Sequence, residues 1–308
     1  MAHRFIAGES PEAAVDELGR LWKDGIASSV DLLGEATMTS AEADRYAARC
    51  TEALEVLTRA SAHYPDHPVL DRDPAGPLPR ANLSVKVTAL TPLIRPEAPE
   101  VGREDAAGRL RPLLRTAKEL GAHLHVDMES VDTLEATMEL VFELLDEPEF
   151  RHGPSAGVVL QAYLRDSPAQ LERLLEWAGA SEREPPLTVR LVKGAYWDHE
   201  IVEARQHGWS PPVFERKADC DRNFEELTRR LLDARPLVRI AIGSHNLRSV
   251  AHAIAYNRAL GGEDRDVELP ERGRQPLALD PAPKLQDLLV GERLHGAARS
   301  ASSATPLA

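Results

Sequence analysis

Apolar and polar positions along this chain fall into a repeating order of short apolar runs and longer stripes of helical spacing. Ser28 to Leu33 (SSVDLL) reads as a first strand, tipped by Gly34 and Glu35. Thr39 to Glu42 (TSAE) is a capping box, which starts a helix by pairing two otherwise unsatisfied amides. Tyr46, Cys50, Ala53, Leu54 and Leu57 then recur on one helical face. On that face Cys50 reads as a small core residue rather than a reactive thiol. A loop rich in Pro and Asp leads to a second strand, NLSVKVTAL. The order then repeats. Arg111 to Leu120 is helical, His123 to Glu129 is a strand, and Leu134, Met138, Val141, Phe142 and Leu145 form a helical stripe. Gly157 to Leu164 is the fourth strand, followed by Ser167 and Pro168 as cap and first-turn proline. LTVRLVKGAY is the fifth strand and Phe224 to Leu232 carries helical spacing. Val238 to Asn246 is the sixth strand, and Ser249 to Leu260 the helix after it.

Six strand–helix units in series, with continuous apolar strands, predict an α/β fold with a parallel sheet under helices. A doubly wound dinucleotide fold needs a glycine fingerprint after its first strand, and none is present. Every strand ends in polar residues: Glu35, Lys86, Asp127, Gln161, Lys193 and His245. A doubly wound sheet needs such tips only near its switch point, whereas a ring of them favours a (β/α)8 barrel. Residues 1–262 are expected to hold six of the eight units. The segment Glu263 to Ala308, rich in Pro, Arg, Ser and Ala, is shorter than the roughly 60 residues two more units need. It is expected to be a disordered tail, which leaves the barrel incomplete.

Charge and cysteine content narrow the function. The net charge of −13 argues against nucleic acid as a partner, since phosphate binding needs a basic face. Cys50 and Cys220 make neither a disulfide framework nor zinc spacing, which points to a reducing cytoplasm. No grouping has metal-ligand spacing. The N-terminus has no signal-peptide apolar region, and no apolar run reaches the ~18 residues of a membrane span.

The densest chemistry lies in RLVKGAYWDHE, Arg190 to Glu200. A strand core needs no Lys193, Gly194, Tyr196, Trp197 or Asp198 at its tip, and glycine lets a backbone or ligand come close. Singly, each strand tip has a plain structural reading: Lys86 as a solvated charge, Asp127 as a helix cap, His125 as a structural strand histidine. The set carries the signal.

Taken in order, DLLGEATMTSAEADRY, LSVKVTAL, VDMES, GVVLQAYLRD, VRLVKGAYWDHEI, PVFERKADCD and IGSHN resemble the proline dehydrogenase domain of bacterial bifunctional proline utilization proteins. The resemblance runs from Ser28 to about Gly262. It implies a distorted TIM-type barrel that binds FAD at the carboxyl ends of its strands. It also implies oxidation of L-proline to Δ1-pyrroline-5-carboxylate, with electrons passed to a membrane quinone. A pyrroline-5-carboxylate dehydrogenase, separate or fused, would be the next enzyme. The place of action would be the cytoplasm, with peripheral contact at the inner face of the membrane. By the same resemblance Lys86 meets the proline carboxylate and Asp127 orients the polar network of the pocket. Gln161, Arg190, Lys193, Gly194, Ala195 and Trp197 contact the flavin. Lys217, Ser244, His245 and Asn246 line the rest of the cofactor, and Glu35 gates the pocket. Arg190 is expected near the pyrimidine edge of the ring, where a fixed cation stabilises the reduced anion.

The sequence departs from the family pattern at Glu215 and Cys220, where the family has Thr, and Thr or Ser. The family's last two strands and last helix, which supply a tyrosine and an arginine pair, have no counterpart. Arg229 and Arg230 match a non-catalytic helix. Two alternatives follow: an inactive truncated fragment, or an unrelated barrel lyase or aldolase with Lys86 or Lys193 as a Schiff-base amine. The second needs a desolvated lysine.

Overall fold

Successive residues of a strand face opposite ways, and the two faces of this sheet differ sharply in character. The computed structural model describes residues 7–32, 36–263 and 266–269. In chain order the elements are α1 (Pro11–Lys23), β1 (Val30–Asp31), α2 (Ser40–Ser61), β2 (Arg72–Asp73), β3 (Gly76–Pro77), β4 (Asn82–Lys86) and α3 (Val87–Leu90). There follow α4 (Pro99–Leu120), β5 (His123–Asp127), α5 (Val131–Leu145), β6 (Ser155–Gln161), α6 (Ser167–Ala180) and β7 (Leu187–Val192). The remaining elements are α7 (Trp197–His207), α8 (Lys217–Asp233), β8 (Val238–Gly243) and α9 (Leu247–Ala259). One sheet holds the order β1-β4-β5-β6-β7-β8, and every neighbouring pair in it is parallel. β2 and β3 form a separate small hairpin.

The outward positions of the strands are Leu83 and Val85, Leu124 and Val126, Val158 and Leu160, Val189 and Leu191, and Ile240 and Ile242. All are buried. Each side chain taken from water contributes about 1.5–3 kcal/mol. The helices that cover this face also pack on one another, α2 against α1 and α4, α4 against α5, and α8 against α9.

The inward positions are mostly polar: Asn82, Ser84 and Lys86; His123, His125 and Asp127; Ser155 and Gln161; Thr188 and Arg190; Arg239; Val159, Val192 and Ala241 are the apolar exceptions. The strands are therefore alternating rather than uniformly apolar. Arg190 on β7 shows that this face is concave. Its guanidinium donates to Ser84 Oγ on β4 at 3.3 Å and to Ser29 Oγ, next to β1, at 3.1 Å. A flat sheet would hold strands three steps apart at roughly 14 Å, beyond the reach of one arginine. A cavity of about 70 Å³ lies inside the curve, lined by Ser29, Asn82, His123, Ser155, Thr188 and Arg239 among others. Arg239 pairs there with Asp73 of the hairpin at 2.7 Å, both about 10% exposed.

Helix starts follow the local chemistry. Thr39 and Glu42 form the expected reciprocal capping box of α2. Ser10, Ser130 and Asn246 accept hydrogen bonds from the first turns of α1, α5 and α9. α1, α7 and the β2–β3 hairpin were not read from the pattern, and several element ends differ from it. The second strand ends at Lys86, and Val87–Leu90 turns into α3, burying Val87, Ala89 and Leu90. α4 begins at Pro99, well before Arg111, and carries Pro112 within it. α6 is preceded by Asp166, and Ser167 instead donates to Leu164 O at 2.8 Å.

Leu33, Gly34 and Glu35 lie outside the described residues, as does nearly all of the segment expected to be a tail. Where that segment is described, Glu268 bridges Ala241 in the parallel sense, and Val267 and Leu269 are buried. The backbone thus runs beside β8 where a seventh strand would lie.

Candidate active site

The register of the sheet brings the inward polar tips to one level. Lys86 pairs with Asp127 across β4 and β5, and Arg190 is two residues below the end of β7. Arg190 Nη1 donates to Asp127 Oδ1 at 2.9 Å, with both side chains about one-fifth exposed. Burial raises the Asp127 carboxyl above its ordinary range. Arg190 opposes that shift, and Asp31 and Glu129 reinforce it. Lys86 Nζ meets Asp31 Oδ1 and Oδ2 at 2.6 Å each. Its backbone N–H donates to Tyr46 Oη at 3.3 Å, which anchors the tip of β4 to α2. Asp31, Lys86, Asp127 and Arg190, on β1, β4, β5 and β7, therefore alternate in charge along the inner rim.

A second cluster lies where β7 passes into α7. Lys193 and Lys217 both donate to Asp221, Lys217 at 2.8 Å. Lys193 also lies over the Phe224 ring, 5.6 Å from its centre. Burial works against the Asp221 carboxylate, yet the two lysine hydrogen bonds prevail and hold it below the ordinary carboxylate range. Gly194 has φ +120°, and a Cβ there would fall 2.3 Å from the Tyr163 ring. Only glycine allows the turn to close over that ring. Ala195 and Trp197 are exposed, and Trp197 Nε1 donates to Phe214 O at 2.9 Å.

Gln161 ends β6, almost fully buried. Its Nε2 donates to Met128 O at 2.9 Å, and its Oε1 has no partner. Ser244 Oγ accepts from Asn246 N at 3.2 Å in the turn before α9, with His245 exposed between them. Arg230 donates to Pro168 O at 3.2 Å, tying α8 to the start of α6, and Arg229 pairs with Glu226 within α8. Among the described residues no group of three or more His, Cys, Asp or Glu could hold a metal ion. No described helix is long and apolar enough to cross a membrane.

The structure adds four residues that the motifs did not single out: Asp31, Ser29, Ser84 and Asp221. Period-two spacing was the available signal. Ser29 and Asp31, like Ser84 and Lys86, share a strand face, so the polar residues of SSVDLL and NLSVK were a stripe.

A parallel α/β sheet curved around a polar interior, with its ionisable side chains at the carboxyl ends of the strands, is a TIM-type barrel with the rim of an enzyme. The chain belongs to the proline dehydrogenase family, whose model, described as proline dehydrogenase, matches residues 14–271. That match runs past Gly262, consistent with Glu268 beside β8. The bifunctional protein PutA of Salmonella typhimurium is 31% identical over 265 residues, 86% of this chain and 19% of that protein. The proline dehydrogenase of Deinococcus radiodurans is 29% identical over 234 residues, covering 76% of this chain and 62% of that one. Among solved structures, proline utilization A from Bdellovibrio bacteriovorus, inactivated by N-propargylglycine, aligns with a TM-score of 0.83 and 39% identity. The alignment covers 87% of this chain and 28% of that one. The chain thus spans less than a third of the length of these two PutA relatives.

Proposed function

We propose that this chain carries the FAD-dependent oxidation of L-proline to Δ1-pyrroline-5-carboxylate, acting in the cytoplasm and passing electrons to a quinone at the membrane surface. A pyrroline-5-carboxylate dehydrogenase, fused or separate, would take the product. The observation that carries this reading is the rim of Lys86, Asp127 and Arg190 on one level, within a chain of this family. The residues fit a flavin on three counts. Gln161 presents a buried oxygen with no partner. Arg190, Lys193 and Lys217 supply cations for an anionic cofactor. Gly194 keeps the β7–α7 turn free of a side chain. Bound FAD would supply the hydride acceptor.

The chain's own residues do the rest. Lys86 offers the substrate carboxylate a charge-assisted hydrogen bond. Arg190 is held in place by Asp127, Ser84 and Ser29, so its charge is preorganised rather than recruited during reaction. Gln161, Trp197, Ser244, His245 and Asn246 would line the cofactor, Ala195 leaves it room, and Glu35 would close the pocket. The amine of Lys86 is engaged by both Asp31 oxygens rather than set in an apolar pocket, which disfavours the Schiff-base alternative.

The test is to purify the chain with FAD and add L-proline without oxygen. Bleaching of the flavin, followed by turnover with a soluble quinone, is expected. A protein that holds FAD but does not bleach would favour the inactive alternative; one that holds no flavin would overturn the cofactor assignment.

A further inference from the structure

The turn from β7 into α7 carries Lys193, Gly194 and Ala195, with Trp197 opening the helix, and its own side chains do little to hold it. Ala195, Tyr196 and Trp197 are exposed. Lys193 is tied to Asp221. Much of the remaining support passes through Tyr163, which follows β6 and is 2% exposed.

The backbone of Tyr163 reaches two neighbours at once. Its N–H donates to Lys193 O at 2.7 Å, one step past the bond of Ala162 N to Val192 O at 2.8 Å, so the β6–β7 pairing runs beyond both strands. Its carbonyl accepts from Phe214 N at 2.8 Å, and Phe214 O accepts from Trp197 Nε1 at 2.9 Å. The segment is itself fixed, because the buried Asn223 of α8 donates to Ala162 O at 2.8 Å. The Tyr163 ring lies against the backbone of Gly194. A Cβ on Gly194 would fall 2.3–2.5 Å from Cδ1, Cε1 and Cγ, all ring carbons. The hydroxyl, though near the Tyr196 backbone, is buried without a hydrogen bond of ordinary geometry. The contact that bears on the turn is therefore made by the flat face of the ring. A residue at φ +120° with no side chain can lie directly on it.

We propose that Tyr163 is a positioning residue for the flavin: its ring is the seat on which Gly194 rests, and this fixes where Lys193, Ala195 and Trp197 stand. Groups that touch a cofactor hold it well only when the layer beneath them is itself locked by packing. The backbone bonds of residue 163 survive most substitutions, whereas the seat depends on the side chain. This rests on the reading of the β7 rim as a flavin site, and adds to it a residue that acts through another.

The test is titration of the full chain with FAD, followed by flavin fluorescence, beside hydrogen exchange of the peptide over residues 193–197 without FAD. Tyr163→Leu should speed exchange in that peptide, weaken FAD binding by about tenfold or more and shift the reduction potential of the bound flavin. Tyr163→Phe keeps the ring and should match the unaltered chain in all three. Gly194→Ala should weaken FAD binding, and should do so by a smaller factor when Tyr163→Leu is already present, because the Cβ then meets no ring. Circular dichroism checks folding, and Tyr163→Met takes the place of Tyr163→Leu if the latter does not fold. A loss of about tenfold in Tyr163→Phe would overturn the proposal, since the hydroxyl would then hold the turn. So would additive losses from Tyr163→Leu and Gly194→Ala. Faster exchange with FAD affinity and potential unmoved would make Tyr163 merely structural. If the unaltered chain takes up no FAD, the flavin reading itself falls, and this inference with it.

Discussion

The two faces of the same six strands behave as different materials. On the outward face, Leu83, Leu124, Val158, Val189 and Ile240 are at most 3% exposed under the helices. On the inward face the same strands present Ser84, His125, Asp127, Arg190 and Arg239, joined by hydrogen bonds and ion pairs. The outward face is held by area removed from water and tolerates apolar exchanges that keep its volume. The inward face gains little net stability from its polar contacts, but it fixes where charges stand. Stability and chemistry are thus divided between odd and even positions of each strand.

Substitutions on opposite faces should separate these roles. The largest loss of stability is expected outward. Leu124→Ala should cost about 2–5 kcal/mol through lost burial and a cavity, measured by denaturant unfolding. Any enzyme that stays folded should keep the proposed flavin chemistry. A loss under ~1 kcal/mol would mean that the outward face is not the main source of stability.

The inward face should dominate in acid. Burial, with help from Arg190 and Arg239, pushes the His123 imidazole down to about 3, and burial, with Arg190 and His123, lowers His125 well below its ordinary value. An unfolded histidine takes up a proton near pH 6.5. The unfolded chain therefore binds more protons as pH falls below that value, and stability is lost from about pH 6.5 down toward 3. His123→Gln should flatten this slope when unfolding free energy is followed against pH. An unchanged slope would show that His123 does not govern it.

At the rim the effect shifts from stability to reaction. Asp127→Asn removes the charge facing Arg190, a charge-assisted bond of about 1.5–3 kcal/mol. The proposed proline turnover should fall roughly 10- to 100-fold by that measure, with a shifted flavin reduction potential. Turnover within threefold of the original would remove Asp127 from the site. The smallest effect is expected for Ser84→Ala, about 0.5–1.5 kcal/mol in stability. It should nevertheless shift the reduction potential of the proposed flavin, because Arg190 loses an anchor. Lost stability with an unmoved potential would make Ser84 merely structural.

Much of this was readable in the chain. Six strand–helix units, their order and the barrel class follow from periodicity and from polar strand tips. The run RLVKGAYWD marked the β7 rim, and the capping box fixed the start of α2. Element ends were less legible. Val87–Leu90 is apolar enough to extend a strand, and only its packing beneath α2 and α4 turns it into a helix. VEL in DVELP is too short to declare itself a strand, and becomes one neighbour of β8 through backbone hydrogen bonds from Ile242 N and to Ile240 O.

What the sequence determined by itself is the list of chemical groups, because residue type and period assign a side chain to a face without any tertiary contact. What only the tertiary structure decided is which of those groups meet. Asp31 and Lys86 are 55 residues apart, and Arg190 and Ser84 106. No local pattern encodes such a pairing, since it depends on the curvature of the sheet and the register of four parallel strands. The Asp31–Lys86 pair exists only once β1 and β4 lie side by side in register, and the Arg190–Ser84 pair only once the curve of the sheet has closed the distance.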